Sequence, residues 1–233
     1  YDAFTPQFAL LKKLDNNSSL YANAAKSFKM PTFTQIYGGG GANFAANPLL
    51  EPEEGWTYEF GYKKTSNTSM FKAALYYMDL DTIEYEGKGT SSNPYVTRNM
   101  SFKNKGLEMT YEKDFGSKYS YSLGANFCNP MGKNKKGIWE RKFAREQYNA
   151  GIKYHDAKFN AALTGMFTTD RASGWGDLLP VNFIAGYKFD KSSSVELGVE
   201  NIFDRDDIVS NPGSATKYYC LPRMVHVTYT YTF

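Results

Sequence analysis

MVHVTYTYTF, residues 224–233, places Val225, Val227, Tyr229, Tyr231 and Phe233 at every second position and fills the gaps with His226, Thr228, Thr230 and Thr232. Strict period two marks a strand with one apolar and one polar face. Most soluble domains end in a frayed surface segment. This one ends on an aromatic residue in phase with the apolar face, so the last residue is expected to belong to the structure.

The same period recurs along the chain. Eleven segments carry it, at about 4–14, 18–28, 55–65, 69–80, 95–115 (with a break expected near Asn99), 118–128, 144–155, 157–168, 180–190, 193–203 and 218–233. Helical periodicity is absent. The connections alternate in length: LDNNSS (14–19), TSNTS (65–69), FGSK (115–118), HDAK (155–158) and FDKSSS (189–194) are tight polar turns, and between them run long loops at 29–54, 81–94, 129–143, 169–179 and 204–217. In an up-and-down meander, successive connections lie at opposite ends. All short turns then share one rim and all long loops the other, as in an outer-membrane barrel with short periplasmic turns and long extracellular loops.

The totals allow this reading. The longest purely apolar stretch is AALYYM (73–78), far short of the ~20 residues a transmembrane helix needs. A transmembrane strand needs only about 9–11 residues with alternate ones facing lipid, which is compatible with a mean hydropathy of -0.54. Cations are spread without long blocks and net charge is +3, so no nucleic-acid footprint is indicated. Tyr148, Ala150, Ile152 and Tyr154 alternate with Asn149, Gly151, Lys153 and His155, and Tyr119, Tyr121, Leu123, Ala125 and Phe127 with Ser120, Ser122, Gly124 and Asn126. A small, polar second face suits a wet or plugged lumen. Aromatics such as Trp56, Tyr58, Tyr187 and Phe189 fall near strand ends, where interfacial girdles sit. A lectin-like β-sandwich with exposed aromatics is the competing fold, and it gives no reason for the asymmetry of loop length.

Four stretches, in order, resemble the C-terminal half of TonB-dependent outer-membrane receptors. SLYANAAKSFKMPTFTQIY followed by NPLLEPEEGWTYEFGYK matches the family pattern at Phe28, Pro31, Asn47, Pro48, Leu50, Pro52, Glu53, Tyr58, Glu59 and Gly61, and departs from it at Lys29 and Met30. ALYYMDLDTIEYE leads to NKGLEMTYE, where Asn104, Gly106, Leu107 and Glu108 fit. Asn201, Phe203 and Asp204 of VELGVENIFDRDD match an Asn-Leu-Phe-Asp strand ending, and YYCLPRMVHVTYTYTF carries Pro222 and Arg223 before a final strand with a terminal aromatic.

The resemblance implies an all-β, antiparallel up-and-down transmembrane barrel in the bacterial outer membrane. Residues 1–233 would supply about eleven C-terminal strands of a barrel of about twenty-two, with the plug domain, the TonB box and the N-terminal strands outside this sequence. It implies active, TonB-coupled import of a scarce nutrient, foremost a ferric siderophore, with haem or cobalamin as alternatives within the family. Implied partners are membrane lipid and lipopolysaccharide, the N-terminal half with its plug, the TonB complex, and an iron chelate. In this family the final strand and its aromatic end help the assembly machinery recognise the chain, a role that falls here on Tyr229, Tyr231 and Phe233. A passive porin or an adhesion barrel stands as the alternative from another class.

Catalytic chemistry finds little support. His155 and His226 sit in no zinc-protease pattern, and no G-x-S-x-G elbow occurs. The acidic runs DLD (79–81) and DRDD (204–207) lack calcium-loop spacing, so no metal ligand or cofactor is expected. Candidate ligand contacts are Tyr37 and Phe44, flanking the glycines of GGGGANFAANP (38–48), with Tyr218 and the loop NPMGKNKKGIWERKFAR (129–145). That loop offers Lys133, Lys135, Lys136, Arg141, Lys142 and Arg145 against Glu140 alone, with Trp139 as a stacking surface. Its cations are open to two readings: attraction of an anionic ligand, or pairing with lipopolysaccharide phosphates and water. Cys128 and Cys220 both fall at long-loop ends. A disulfide between them is permitted by an oxidising exterior but opposed by their non-neighbouring strands.

Overall fold

A computed structural model describes residues 2–39, 43–171, 175–210 and 217–233. Its strands are β1 (Gln7–Lys13), β2 (Ser18–Lys29), β3 (Glu53–Thr65), β4 (Ser69–Glu86), β5 (Val96–Phe115), β6 (Tyr119–Cys128), β7 (Met131–Lys133), β8 (Trp139–Arg141), β9 (Glu146–His155), β10 (Phe159–Thr169), β11 (Val181–Lys188), β12 (Ser193–Glu200), β13 (Ile208–Ser210), β14 (Tyr218–Tyr219) and β15 (Met224–Tyr231), with one short helix, α1 (Phe33–Tyr37). Eleven of them form one antiparallel meander in chain order, β1-β2-β3-β4-β5-β6-β9-β10-β11-β12-β15. β1 and β15 are its two outer strands, so the sheet is open.

Directly paired residues share a face, and the register separates the two faces across the whole sheet. One row runs Leu10, Ala22, Phe60, Leu75, Leu107, Phe127. Further along, the same face carries Ile152, Leu163, Phe183, Val199 and Val225. The opposite face carries Asn23, Glu59, Tyr76, Asn126, Gln147, Thr164, Asn182 and His226. The first face is the lipid side and the second the lumen. Outward aromatics make two bands. Tyr62 against Phe71, Tyr111 against Tyr121, and Tyr119 against Tyr154 mark the short-turn rim; Trp56–Tyr58–Tyr77 and Phe127–Tyr148–Phe167 mark the other. From Phe159 to Phe167 is roughly 26 Å of strand at ~3.3 Å per residue, close to the ~25 Å apolar band of such barrels.

The lumen face is crowded. Tyr21 lies over Gly61, Tyr76 over Gly106 and His226 over Gly198, each opposite its partner in the ladder. A Cβ added at these glycines would come within 2.2, 2.5 and 2.1 Å of the facing ring. Side chains converge on the concave side of a curved sheet, so a bulky residue there needs a neighbour with none. His226 is thereby placed as a packed lumenal ring.

Four of the five short turns share one device. Asp15 Oδ1 accepts from the N–H groups of Asn17 and Ser18, both at 2.7 Å. Ser66 Oγ accepts from Thr68 and Ser69 at 3.3 and 3.0 Å. Asp156 Oδ1 accepts from Lys158 and Phe159 at 2.9 and 2.8 Å, and Asp190 Oδ1 from Ser192 and Ser193 at 2.7 and 2.9 Å. These are side-chain mimics of a backbone turn.

The structure departs from the sequence reading in four places. Period two continues past residue 80, so β4 and β5 stay paired to Glu86 and Val96, and residues 81–86 of the expected 81–94 loop are ladder. The expected break at Asn99 does not occur: its amide donates to Glu51 O and accepts from Glu51 N, both at 2.9 Å, without interrupting the strand. α1 is a single turn, too short to show a period; its sign was the capping box of Thr32 and Gln35. The last strand starts at Met224, and Tyr218–Tyr219 pairs with Ile208–Ser210 instead.

The three turn aspartates give a pH test. The Tyr154 hydroxyl, then the Phe159 and Lys158 N–H groups, hold the Asp156 carboxyl down at about 2. Asp15 and Asp190 are lowered too, chiefly by the hydroxyls of Ser18 and Ser193. A depressed carboxyl contributes stability that is complete above its unfolded value of about 4 and is lost as pH falls through its folded value. In thermal melts followed by circular dichroism, Asp156→Ala should lower the unfolding temperature at neutral pH, and the gap from wild type should close as pH falls from about 4 towards 2.

Candidate functional site

Above the outer aromatic band, β4 and β5 continue as a hairpin beyond the last β3 pair, Glu54 with Asp81. The β2–β3 connection packs on this hairpin. Thr97, fully buried, donates its hydroxyl to Gln35 O at 3.3 Å. Asn47 Nδ2 donates to Thr97 O at 2.7 Å, Gln35 Nε2 to the Tyr85 hydroxyl, and Leu50 is buried beside them. This small polar-stitched core fixes α1 and residues 43–51. Phe44 is held against Tyr85 and Tyr95 at 5.7 and 5.3 Å between ring centres. Tyr37 is exposed and stacks on Phe33 at 6.0 Å. Gly40, Gly41 and Ala42 of the glycine loop lie outside the described residues.

The basic loop is a hairpin. After Asn129–Pro130, β7 resumes the register of β6 on β5, with Phe102 opposite Gly132 and Lys103 opposite Met131, and β8 pairs back on β7. Alternation then divides the residues between two sides. Lys133, Trp139 and Arg141 share the outward face with Lys103, whereas Lys142 and Lys135 reach the lumen side. There Lys142 Nζ lies 2.6 Å from Glu84, Lys135 Nζ 3.5 Å from Glu86, and Arg98 bridges both carboxylates. Arg141 binds Asp170, with Arg145 3.8 Å from the same carboxylate. Lys133 and Lys103 stand 6.0 and 5.7 Å from the Trp139 ring. Lys136 has no ion pair among the described residues.

Two clefts adjoin at Glu84, Tyr85 and Lys142. The larger, about 760 Å³, runs round the free edge of β4 and is apolar, with Phe44, Tyr95, Met100, Phe102 and Phe143 in its wall. The smaller, about 400 Å³, is charged, lined by Glu86, Arg98, Lys135, Lys136 and Glu140. Phe44, Lys135 and Lys136 are thus brought together. Tyr37 lies in neither wall, and Tyr218 sits exposed in β14, elsewhere on the same rim. Sequence reading missed Glu84, Glu86 and Asp170 as counter-charges, and Tyr85, Tyr95, Met100, Phe102 and Phe143 as wall. Carrying the alternation through TIEYE (82–86) would have found the first two.

The cysteines are both free, which corrects the disulfide considered from sequence. Cys128 Sγ donates to Ala144 O at 3.3 Å, while Cys220 N donates to Asp207 O at 2.8 Å. Cys128 ends β6 of the main sheet, whereas Cys220 follows β14, which pairs with β13 in a separate two-stranded sheet.

A meander with a lipid-facing row, paired aromatic bands, short turns at one rim and built loops at the other is part of a transmembrane β-barrel of the bacterial outer membrane, open here between β1 and β15. The chain belongs to the TonB-dependent receptors: a family model described as TonB dependent receptor-like, beta-barrel, matches residues 1–202. Over 249 aligned residues it is 24% identical to the vitamin B12 transporter BtuB of Photobacterium profundum, covering 98% of this chain and 38% of that protein. Among solved structures it is similar to a mutant ferric enterobactin receptor, PfeA, from Pseudomonas aeruginosa in complex with enterobactin (TM-score 0.77, 18% identity, 98% of this chain and 40% of that one). It is also similar to the ferric citrate transporter FecA (TM-score 0.72, 20% identity, 98% and 38%) and to the copper transporter OprC (TM-score 0.76, 13% identity, 97% and 39%). The chain therefore spans about two fifths of the length of these relatives.

Glu84 is the post on which the β7–β8 hairpin is tied to β4. Glu84→Gln should loosen it, and trypsin added to intact cells should cut after Lys135 and Lys136 about two- to five-fold faster, the effect of losing ~0.5–1 kcal/mol of partly exposed ion pairing. Cutting at the wild-type rate would mean that Glu84 does not hold the hairpin, which its β5 pairs and its Glu86 and Asp170 ion pairs then secure.

Proposed function

We propose that this chain is the C-terminal part of a TonB-dependent importer whose ligand is an anionic iron chelate. In this reading a further part of the protein supplies the plug, the TonB contact and the strands that close the open edges of β1 and β15, since an unpaired strand edge in lipid leaves backbone groups without partners. The chelate binds at the extracellular rim, passes the plug and is released inward at the expense of inner-membrane energy. The observation that carries the ligand class is the pair of adjoining clefts. An aromatic wall at Phe44, Tyr85 and Tyr95 suits a flat organic chelator, and Lys135 and Lys136 at the rim suit its negative charge. Relatives that take up ferric enterobactin and ferric citrate are in keeping with this.

Cobalamin is the second reading, favoured by the 24% identity to a vitamin B12 transporter along 98% of the chain. Haem is less well served here: the two histidines lie at a short turn, His155, and within the lumen opposite Gly198, His226. In cells producing the full receptor, Lys135→Ser/Lys136→Ser should slow association of a ferric catecholate about ten-fold at low salt and flatten its salt dependence, and Phe44→Ala should speed its release. Unchanged uptake and salt response in all three substitutions, or saturable uptake of cyanocobalamin instead, would overturn the chelate reading.

Tyr229, Tyr231 and Phe233 complete the reading as the assembly signal. Phe233 lies just past β15, fully exposed and edge-on to Tyr231 at 5.4 Å. Deleting it should lower the yield of heat-modifiable barrel in the outer membrane, while Phe233→Tyr should leave the yield near wild type; equal yields from all three would remove the role.

A further inference from the structure

Along the lumen side of β4 and β5 the ladder passes from polar to apolar and back. Tyr76 and Asn104 stand low on it, with the Tyr76 hydroxyl donating to Asn126 Oδ1 at 3.1 Å. Leu80 opposite Phe102 and Thr82 opposite Met100 follow, and Glu84 opposite Arg98 closes the stretch above. Asn104 to Arg98 spans roughly 20 Å of strand at ~3.3 Å per residue. Phe143 widens the apolar stretch, edge-on to Phe102 at 6.0 Å and 64% exposed. Gly132 lies opposite Phe102, and a Cβ there would come within 2.5 Å of Lys142 Cε and 2.9 Å of Met100 Sδ. The aliphatic stem of Lys142 and the Met100 thioether therefore close over it and extend the wall.

The polar groups of this stretch are turned on one another. The Thr82 hydroxyl donates to Met100 O at 3.3 Å, and Glu84 holds Arg98 and, at 2.6 Å, Lys142 Nζ. A polar ligand group laid against Leu80, Met100 and Phe102 would lose water without gaining a partner, which costs free energy. An alkyl chain meets no such penalty, and a wall containing Met adapts to its shape. The stretch is also continuous with the charged cleft, because Glu84 and Lys142 line both. Arg98, Lys135 and Lys136 stand above that junction, and the apolar space of about 760 Å³ lies below it and round the edge of β4. One occupant spanning both must be anionic at one end and apolar at the other.

We propose that the imported chelate is amphiphilic, with its anionic iron-binding head among Arg98, Lys135 and Lys136 and an acyl arm lying along Leu80, Met100, Phe102 and Phe143. This rests on the reading of the two clefts as a chelate site and names the class of chelate. Charge then governs how fast the ligand arrives, and the arm governs how long it stays. Between two chelates of equal charge, the receptor takes the acylated one.

The test uses the full receptor in nanodiscs and a ferric catecholate carrying a butanoyl, octanoyl or dodecanoyl amide, with the binding of each form to empty nanodiscs subtracted. A buried methylene tightens binding about three- to four-fold, so the octanoyl form should bind wild type on the order of a hundred-fold tighter than the butanoyl form. Phe102→Ser and Phe143→Ser should each cut that ratio about ten-fold. Phe143 lies outside the strands, between β8 and β9, so its replacement leaves the ladder alone. Lys135→Ser/Lys136→Ser should weaken all three forms by one factor and keep the ratio. Equal affinity of the three forms for wild type, or a ratio that neither Phe substitution changes, would overturn the amphiphile and leave the chelate reading standing. Failure of all three forms to bind would overturn both.

Discussion

Within hydrocarbon no water is available to the backbone, so each N–H and C=O must find its partner in the chain. That constraint explains why the ladder runs in one continuous register from β1 to β15 while so little of the molecule is buried. Among the described residues the buried apolar side chains are Pro31, Leu50, Ala74 and Pro130, and of these only Ala74 lies in a membrane-spanning strand. Lipid takes the place of a core on one face, and water or a plug on the other. The chain must then close its strands by turns that need no packing, and Asp15, Ser66, Asp156 and Asp190 do so with a side-chain acceptor in the turn.

Freed from core packing, the two rims diverge. At the short-turn rim a strand reverses in a few residues and nothing is added. At the other rim, strands run past the membrane and carry a second layer of structure: the Thr97–Gln35–Asn47 stitch, the hairpin of β7 and β8, and the Glu84–Arg98–Lys142 network. The clefts exist because β3 leaves the sheet at Glu53 while β4 continues, which uncovers one edge of β4 and lets Phe44 and Phe143 wall it from either side.

Much of this was legible in the sequence, because period two is a direct imprint of a sheet with two different solvents. The eleven strands, their faces and the alternation of loop length all follow from it, and the lumen position of His226 does too. Where reading failed, the local signal was overridden or too short. Asn99 reads as a breaker, yet its amide is consumed by Glu51 and the strand passes through. The turn of α1 has five residues, less than two periods. The basic run of 133–145 looked unopposed because its counter-charges, Glu84, Glu86 and Asp170, arrive from strands up to about sixty positions away, a distance only the fold closes. Which cations face lipid and which face the lumen was decided by the register of β7 on β5 across Pro130.

The β4–β5 hairpin is laddered without interruption from Lys113 to Val96, roughly 60 Å of paired strand at ~3.3 Å per residue. Mechanically it is a mast stepped in the membrane, and a mast cannot fold over a cargo. Residues 30–39 and 43–52 are lashed to it by Thr97, Asn99 and Tyr85, and the β7–β8 hairpin by Glu84 and Glu86. Any motion of the loops on this rim must therefore be made against this fixed upright.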